Sequence, residues 1–422
     1  MLQYFTFIGE PTFGIACIIF NFLVLLTASI TRWRPMLQAI KAMRHPDMAH
    51  TEDEPCENAP RTAASLKKTP VVSIIIPARN ESALLEANLP RILGQDSDLP
   101  YEVIVADQNS TDNTALLIER LQKEHENLRS TFIPASSRNI EPRKLAITLG
   151  IRASRAEWVI LMNAGCEPAS AKWLNEWATH LSDERDFVCL YSNYDYDHTS
   201  HTRRAIFERL MRQTQRHTAW MSGHITGSEN CNLAIRKSWF LENSGFAESL
   251  QLPFGEESIM ANLHAKPERT LIGFAREAKC TEESPSQTFC SLLRIYDAET
   301  RRHLSHAARC RHRLYATGSL TIHLGIWCNV LYTAARCAHD VGGQSYSMDF
   351  LPIDASMAAL CLGTIIPTHL LLNRLTDLLE GAHLGWCLVA DTCLAPWRML
   401  KVALLRYAHR QEFVRDYLQS HS

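Results

Sequence analysis

The stretch "VVSIIIPARNES", residues Val71 to Ser82, decides the fold. Val71 to Ala78 is a nearly unbroken apolar run, which marks a strand covered on both faces. After it, ESALLEANLPRILGQ carries Leu84, Leu85, Leu89 and Leu93 at helical spacing. YEVIVAD is a second buried strand, ending in Asp107. STDNTALLIERLQKEHENL then reads as a helix, with Thr111 or Asp112 as its N-cap. RSTFIPA is the third strand, RKLAITLGIRASRA a helix, and EWVILMN the fourth strand. Strand–helix alternation predicts an α/β fold, a mainly parallel sheet with helices on both faces. Ligands of such sheets sit beyond the carboxyl ends of the strands, which places Arg79, Asn80, Glu81, Asp107 and Asn163 along one edge. Neither a Gly-x-Gly-x-x-Gly turn nor a Walker loop follows the first strand, so dinucleotide and P-loop chemistry are excluded.

The full chain has 422 residues, with 43 basic and 45 acidic side chains and a net charge of −2. There is no basic surplus of the kind nucleic-acid binders carry. Three stretches carry no charge: Pro11 to Thr31, Leu314 to Ala335 and Ala355 to Asn373. Each is about the ~20 residues that a helix needs to cross the hydrocarbon core. Three transmembrane helices are therefore expected, the alternative being buried core helices. Arg32, Arg34, Lys41 and Arg44 follow the first stretch, and Arg301, Arg302, Arg309, Arg311 and Arg313 precede the second. The positive-inside rule then predicts a multi-pass protein of the cell inner membrane, with its N-terminus outside and its central region in the cytosol. The 13 cysteines are scattered with no Cys-x-x-Cys pair, as expected in a reducing compartment. Four regions follow: an anchor with basic flank (1–44), a polar linker (45–70), the α/β domain (71–304), and a C-terminal membrane region (305–422). The last includes an interfacial helix within residues 384–413.

Five segments in order carry a resemblance: "VSIIIPARNES", "YEVIVADQNSTDNT", "RKLAITLGIRASRAEWVILMNAGCEPASAKWL", "GSENCNLAIRKSWF" and "SGFAESLQLPFGEESIM". Together they resemble family 2 glycosyltransferases with the Rossmann-like GT-A fold, from about Val71 to about Leu304. The resemblance implies transfer of a sugar from a nucleotide-sugar donor, UDP-linked, to a lipid-linked or saccharide acceptor at the membrane, with inversion. By the same resemblance, Ala78, Arg79 and Glu81 line the base and ribose, and Asp107 hydrogen-bonds the uracil or ribose. Asp107 also reads as a turn-former before Asn109 and Ser110. Lys144 matches a family lysine that would neutralise phosphate, or else is a solvated helix lysine. Glu256 and Glu257 match the acidic pair that supplies the catalytic base, with Glu257 the first choice; they also read as acidic residues of a helix first turn.

The family places Asp-x-Asp, and with it a divalent manganese or magnesium ion, where this chain has Asn163, Ala164 and Gly165. Gln108 replaces a further aspartate. Glu167 compensates only if the turn rearranges, and Cys166 reads as a small packing residue. Arg138, Arg143 and Lys144 are cations that could take the place of the metal. The missing carboxylates open a second reading, a catalytically degenerate protein serving as a partner or regulatory subunit of an active transferase.

Overall fold

The computed structural model describes residues 11–44, 71–133, 141–197, 199–250, 252, 254–341, 351–379 and 404. The linker 45–70, Arg138, the N-terminal residues 1–10 and, Leu404 apart, the helix expected within 384–413 lie outside these residues. Two compact units are present, Ala39–Arg309, and Met1–Gln38 with Cys310–Ser422.

In chain order the elements are α1 (Pro11–Ala28), a π-helical turn (Ser29–Trp33), α2 (Arg34–Arg44), β1 (Val72–Ala78), α3 (Ser82–Leu93), β2 (Tyr101–Asp107), α4 (Thr114–Glu124), β3 (Leu128–Phe132), α5 (Pro142–Ala153), β4 (Trp158–Leu161) and β5 (Cys166–Pro168). Then come α6 (Trp173–His180), β6 (Phe187–Cys189), β7 (Ser192–Tyr194), α7 (Ser200–Trp220), β8 (Leu233–Arg236), α8 (Lys237–Glu242), α9 (Glu256–His264), β9 (Thr270–Ile272), β10 (Cys280–Glu282), α10 (Gln287–His303), α11 (His306–Val341) and α12 (Leu351–Leu379).

The main sheet runs β3-β2-β1-β4-β8-β6-β9. β1 lies parallel between β2 and β4, with Ala78 opposite Asp107 and Ile75 opposite Leu161. β8 enters antiparallel beside β4 and β6, which makes the sheet mixed rather than wholly parallel. All of β1 is buried. Val72, Ile74, Ile76 and Ala78 feed the core on one face of the sheet, and Ile75 feeds the core on the other. Ser73, the polar residue in the run, donates to Glu102 at 2.6 Å, and Arg129 pairs with the same carboxylate at 2.7 Å. A Cβ at Gly150 would stand 2.7 Å from Ile75 Cγ2, so α5 lies close on β1. α5 follows β3, and its first turn therefore sits at the carboxyl edge of the sheet. A smaller sheet, β5-β10-β7, adjoins the turn after β4.

In the other unit, Val24 and Ala28 of α1 pack with Ile322 and Ile326 of α11 and Leu360 of α12. Asn21 joins both neighbours, donating to Ser356 at 3.2 Å and accepting from Asn329 at 3.3 Å. Among the described residues two helices are long and apolar enough to cross a membrane, Ile15–Arg44 and Asp354–Leu379. The expected third, Leu314 to Ala335, is not among them. It is uncharged but not apolar enough, because Thr317, Ser319, Thr321, His323 and Asn329 punctuate it.

Candidate active site

The first strand ends in Ala78, buried, followed by Arg79, Asn80 and Glu81. Asn80 takes φ 53°, a left-handed turn that asparagine tolerates. Its Oδ1 accepts from the Thr111 amide at 2.8 Å, which locks the loop after β1 to the loop after β2. Glu81 accepts from the Arg79 amide at 3.2 Å, and burial raises its pKa. Asp107 is buried, and its Oδ1 accepts from the amide and hydroxyl of Ser110 at 3.1 and 2.6 Å. It is therefore a turn-former at a strand end, with one oxygen engaged. The N-cap of α4 is Asn113 rather than Thr111 or Asp112, because the helix begins at Thr114; Asp112 instead accepts from the amides of Ser82 at 3.1 Å and Thr114 at 3.0 Å. Partial desolvation opposes its charge, but these bonds hold its pKa at about 2.

Arg143 is the hub of the edge. Nη1 donates to Asn163 Oδ1 at 3.0 Å, and Nη2 to Glu257 Oε1 at 3.1 Å and to the Asn230 carbonyl at 3.2 Å. Nε lies 3.3 Å from Glu256 Oε1. The two glutamates open α9, whose N-cap Gly255 has φ 77°. Both are buried, and Glu256 Oε2 has no hydrogen-bond partner among the described residues. Burial, then repulsion from Glu256, push Glu257 up to about 7 against the pull of Arg143. Burial also opposes the charge of Arg143, yet Glu257 and Glu256 hold its pKa above the usual value. A single guanidinium thus ties the strand edge to an acid pair of which one member titrates near neutrality.

Lys144 does not stand as expected. It is neither solvated nor presented along the strand ends. It is 1% exposed, and its ammonium donates to the carbonyls of Ser249 and Leu252. Burial lowers its pKa. Its position one residue from Arg143 on a helix turns it toward the segment before α9 instead.

Behind the edge lies a second cluster that no sequence motif announced. Asn163 Nδ2 donates to Glu282 at 3.3 Å, and Glu282 pairs with the buried Arg209 at 2.5 Å. Glu229 is surrounded by Arg209 at 3.4 Å, Arg212 at 3.7 Å and Arg216. Burial opposes its charge, but the three arginines hold its pKa at about 2. The arginines recur at positions 209, 212 and 216 on α7, a helical spacing that the sequence displays.

Residues 73–243 match the model of Glycosyl transferase family 2. This segment is similar to a family 2 glycosyltransferase domain. A chondroitin synthase of Pasteurella multocida (strain Pm70) is 27% identical to the chain over 119 residues, 28% of this chain and 12% of that protein. The match thus spans about one-eighth of the curated relative. Two solved structures are similar. A mannosyltransferase from Pyrobaculum calidifontis, in complex with GDP-Man and Mn2+, has 16% identity and TM-score 0.46, covering 93% of this chain and 100% of its own. The TarS 1–349 structure from S. aureus, in complex with UDP-GlcNAc, has 14% identity and TM-score 0.40, covering 73% and 83%.

A hard divalent cation needs oxygen ligands, carboxylates above all. The position where the similar family carries Asp-x-Asp does not fit one. Asn163 Oδ1 accepts from Arg143, Ala164 is buried, and Gly165 has no side chain. Glu167 lies in β5 and pairs with Arg91.

Proposed function

We propose that this glycosyltransferase is membrane-bound and moves a sugar from a nucleotide-sugar donor, UDP-linked, to a lipid-linked or polysaccharide acceptor at the cytosolic face, with inversion. The observation that carries the reading is the Arg143 junction. It joins Asn163 of the strand edge to Glu257, whose pKa lies near neutrality, where a general base works best. Deprotonated Glu257 takes the acceptor hydroxyl proton as that oxygen attacks the anomeric carbon from the face opposite the leaving nucleoside diphosphate. Glu256 keeps Glu257 basic, and Arg143 orients it. Ala78, Arg79, Glu81 and Asp107 line the donor's base and ribose, and Asn163 offers hydrogen bonds to sugar or phosphate. Lys144 acts on this edge through the Ser249 and Leu252 carbonyls.

Membrane residence is supported by the apolar surface of α1 and α12. Ile15, Phe22, Leu23, Leu362 and Leu370 are each more than half exposed, which an aqueous setting disfavours. The basic flank of α1 favours the cytosol for the catalytic domain.

The second reading, a degenerate partner subunit, is favoured by one observation: both polar atoms of the Asn163 side chain are already engaged. Binding of a nucleotide-sugar panel to the detergent-solubilised chain, with manganese, magnesium or chelator and with Asp107→Ala, separates the two. Binding that survives chelator and fails in Asp107→Ala, followed by transfer that fails in Glu257→Gln, is the expected result. No binding under any condition would move the chain to the second reading.

A further inference from the structure

We propose that Cys166, Cys231 and Glu282 form a site for a thiophilic divalent ion of the zinc type, buried in the floor beneath the donor edge. The proposal does not depend on the transferase reading. Three segments distant in sequence bring these side chains to one point, with ligand atoms all within 4.8 Å of one another. Both cysteines are fully buried, and their sulfurs are 2.7 Å apart. Zinc–sulfur bonds of about 2.3 Å in a tetrahedron separate two sulfurs by about 3.8 Å, so an ion would open this pair by about 1 Å.

The charge closes. Two thiolates and a carboxylate bring three negative charges, the ion two positive, and Arg209, 2.5 Å from Glu282, the third. Such a cation relieves the cost of burying thiolates in an apolar core. The donor set selects against magnesium and manganese, because thiolate is a soft ligand.

Asn163 touches two of the three ligands. Its backbone amide donates to Cys166 Sγ at 3.4 Å and its side-chain amide to Glu282 Oε2 at 3.3 Å. Groups that hydrogen-bond metal ligands in this way orient them and tune affinity. The residue at the Asp-x-Asp position would therefore support an ion below the edge rather than hold one at it. Cys280 is two residues before Glu282 on β10, hence on the same face of the strand, and is fully buried. Its thiol donates to Asn232 Oδ1 at 3.3 Å and so stays protonated beside the three ligands, leaving the fourth position to a neutral ligand such as water. An ion here would fasten β5, the segment 229–232 and β10 together, and so fix two of the acceptors of Arg143, Asn163 and Asn230.

The test uses the full chain purified in detergent without chelator. Elemental analysis should give about one zinc per chain, and cobalt in its place should show a thiolate-to-metal absorption band. Cys166→Ser and Cys231→Ser should lose both signals, while Cys290→Ser, on α10 outside the cluster, keeps them. Asn163→Ala should weaken affinity about 10–100-fold in competition with a chelating dye. Three results overturn the proposal: wild-type chain that holds no ion and takes up no cobalt, a Cys166–Cys231 disulfide in the unreduced peptide map, or an ion retained by both serine variants. The wild-type readouts do not require any variant to fold, and no readout uses sugar transfer.

Discussion

Two buried clusters use the same side chains in opposite proportion. Around Arg143, one guanidinium serves two glutamates. Around Glu229, one glutamate is served by three guanidiniums. Burial raises the carboxyl in both places, so the outcome turns on the excess charge. Glu257, with a carboxylate neighbour and half an arginine, rises to about 7. Glu229, with cations on every side, falls to about 2. The first can accept a proton at neutral pH and give it up again. The second stays charged down to about pH 2, as a structural anion does.

The comparison can be broken most forcefully at Glu257. Glu257→Gln should lower transfer by about 10²–10⁴-fold with donor binding retained. A loss below about tenfold would move the base elsewhere. Glu229→Gln should act on stability, costing about 3–5 kcal/mol in urea unfolding, because it leaves buried guanidiniums facing a neutral amide. A cost under about 1 kcal/mol would mean that water already screens the cluster.

Acidity sharpens the contrast. Transfer should increase with pH through about 7 as Glu257 loses its proton. Its effect on stability runs the other way. Between the ordinary 4.5 and about 7 the folded chain holds a proton that the unfolded chain has released, so this contribution falls as pH rises. For Glu229 the stabilisation is full above 4.5 and is lost as pH falls toward about 2. Glu256→Gln should shift the rate profile toward acid by about one pH unit, and Arg143→Met toward alkali. An unmoved profile in both would detach Glu257 from the titration. The smallest effect is expected at Lys144. Lys144→Met should leave donor affinity nearly unchanged, whereas a tenfold weakening, about 1.4 kcal/mol, would return this ammonium to the phosphate.

The central strands were legible because their apolar runs have no other use. β1, β2 and β4 read directly from "VSIIIPA", "YEVIVAD" and "WVIL". The antiparallel entry of β8 was not legible, since LAIR looks the same in either direction. At the site, local sequence conveyed residue type and strand-end position, and so singled out Asp107, Glu256 and Glu257 as candidates. It could not say that Arg143 spans to an acid pair 113 and 114 residues later, because that contact depends on how closely α5 lies on β1. The burial of Lys144 was not legible for a related reason. Adjacent helical residues point about 100° apart, so a lysine beside a site arginine need not share its target. The spacing of Arg209, Arg212 and Arg216 was readable, but a basic helix face reads as solvated until a buried carboxylate is found opposite it.

Gly255 has a consequence for any search for function by residue type. A Cβ there would collide with Thr300, and the backbone takes φ 77°, so the start of α9 depends on a residue with no side chain. The direction in which Glu256 and Glu257 leave the backbone is set at that point. A replacement by alanine would keep every reacting group in the chain and still misaim two of them. In a scan of variants, this position should behave like a catalytic residue while contributing no atom to the chemistry.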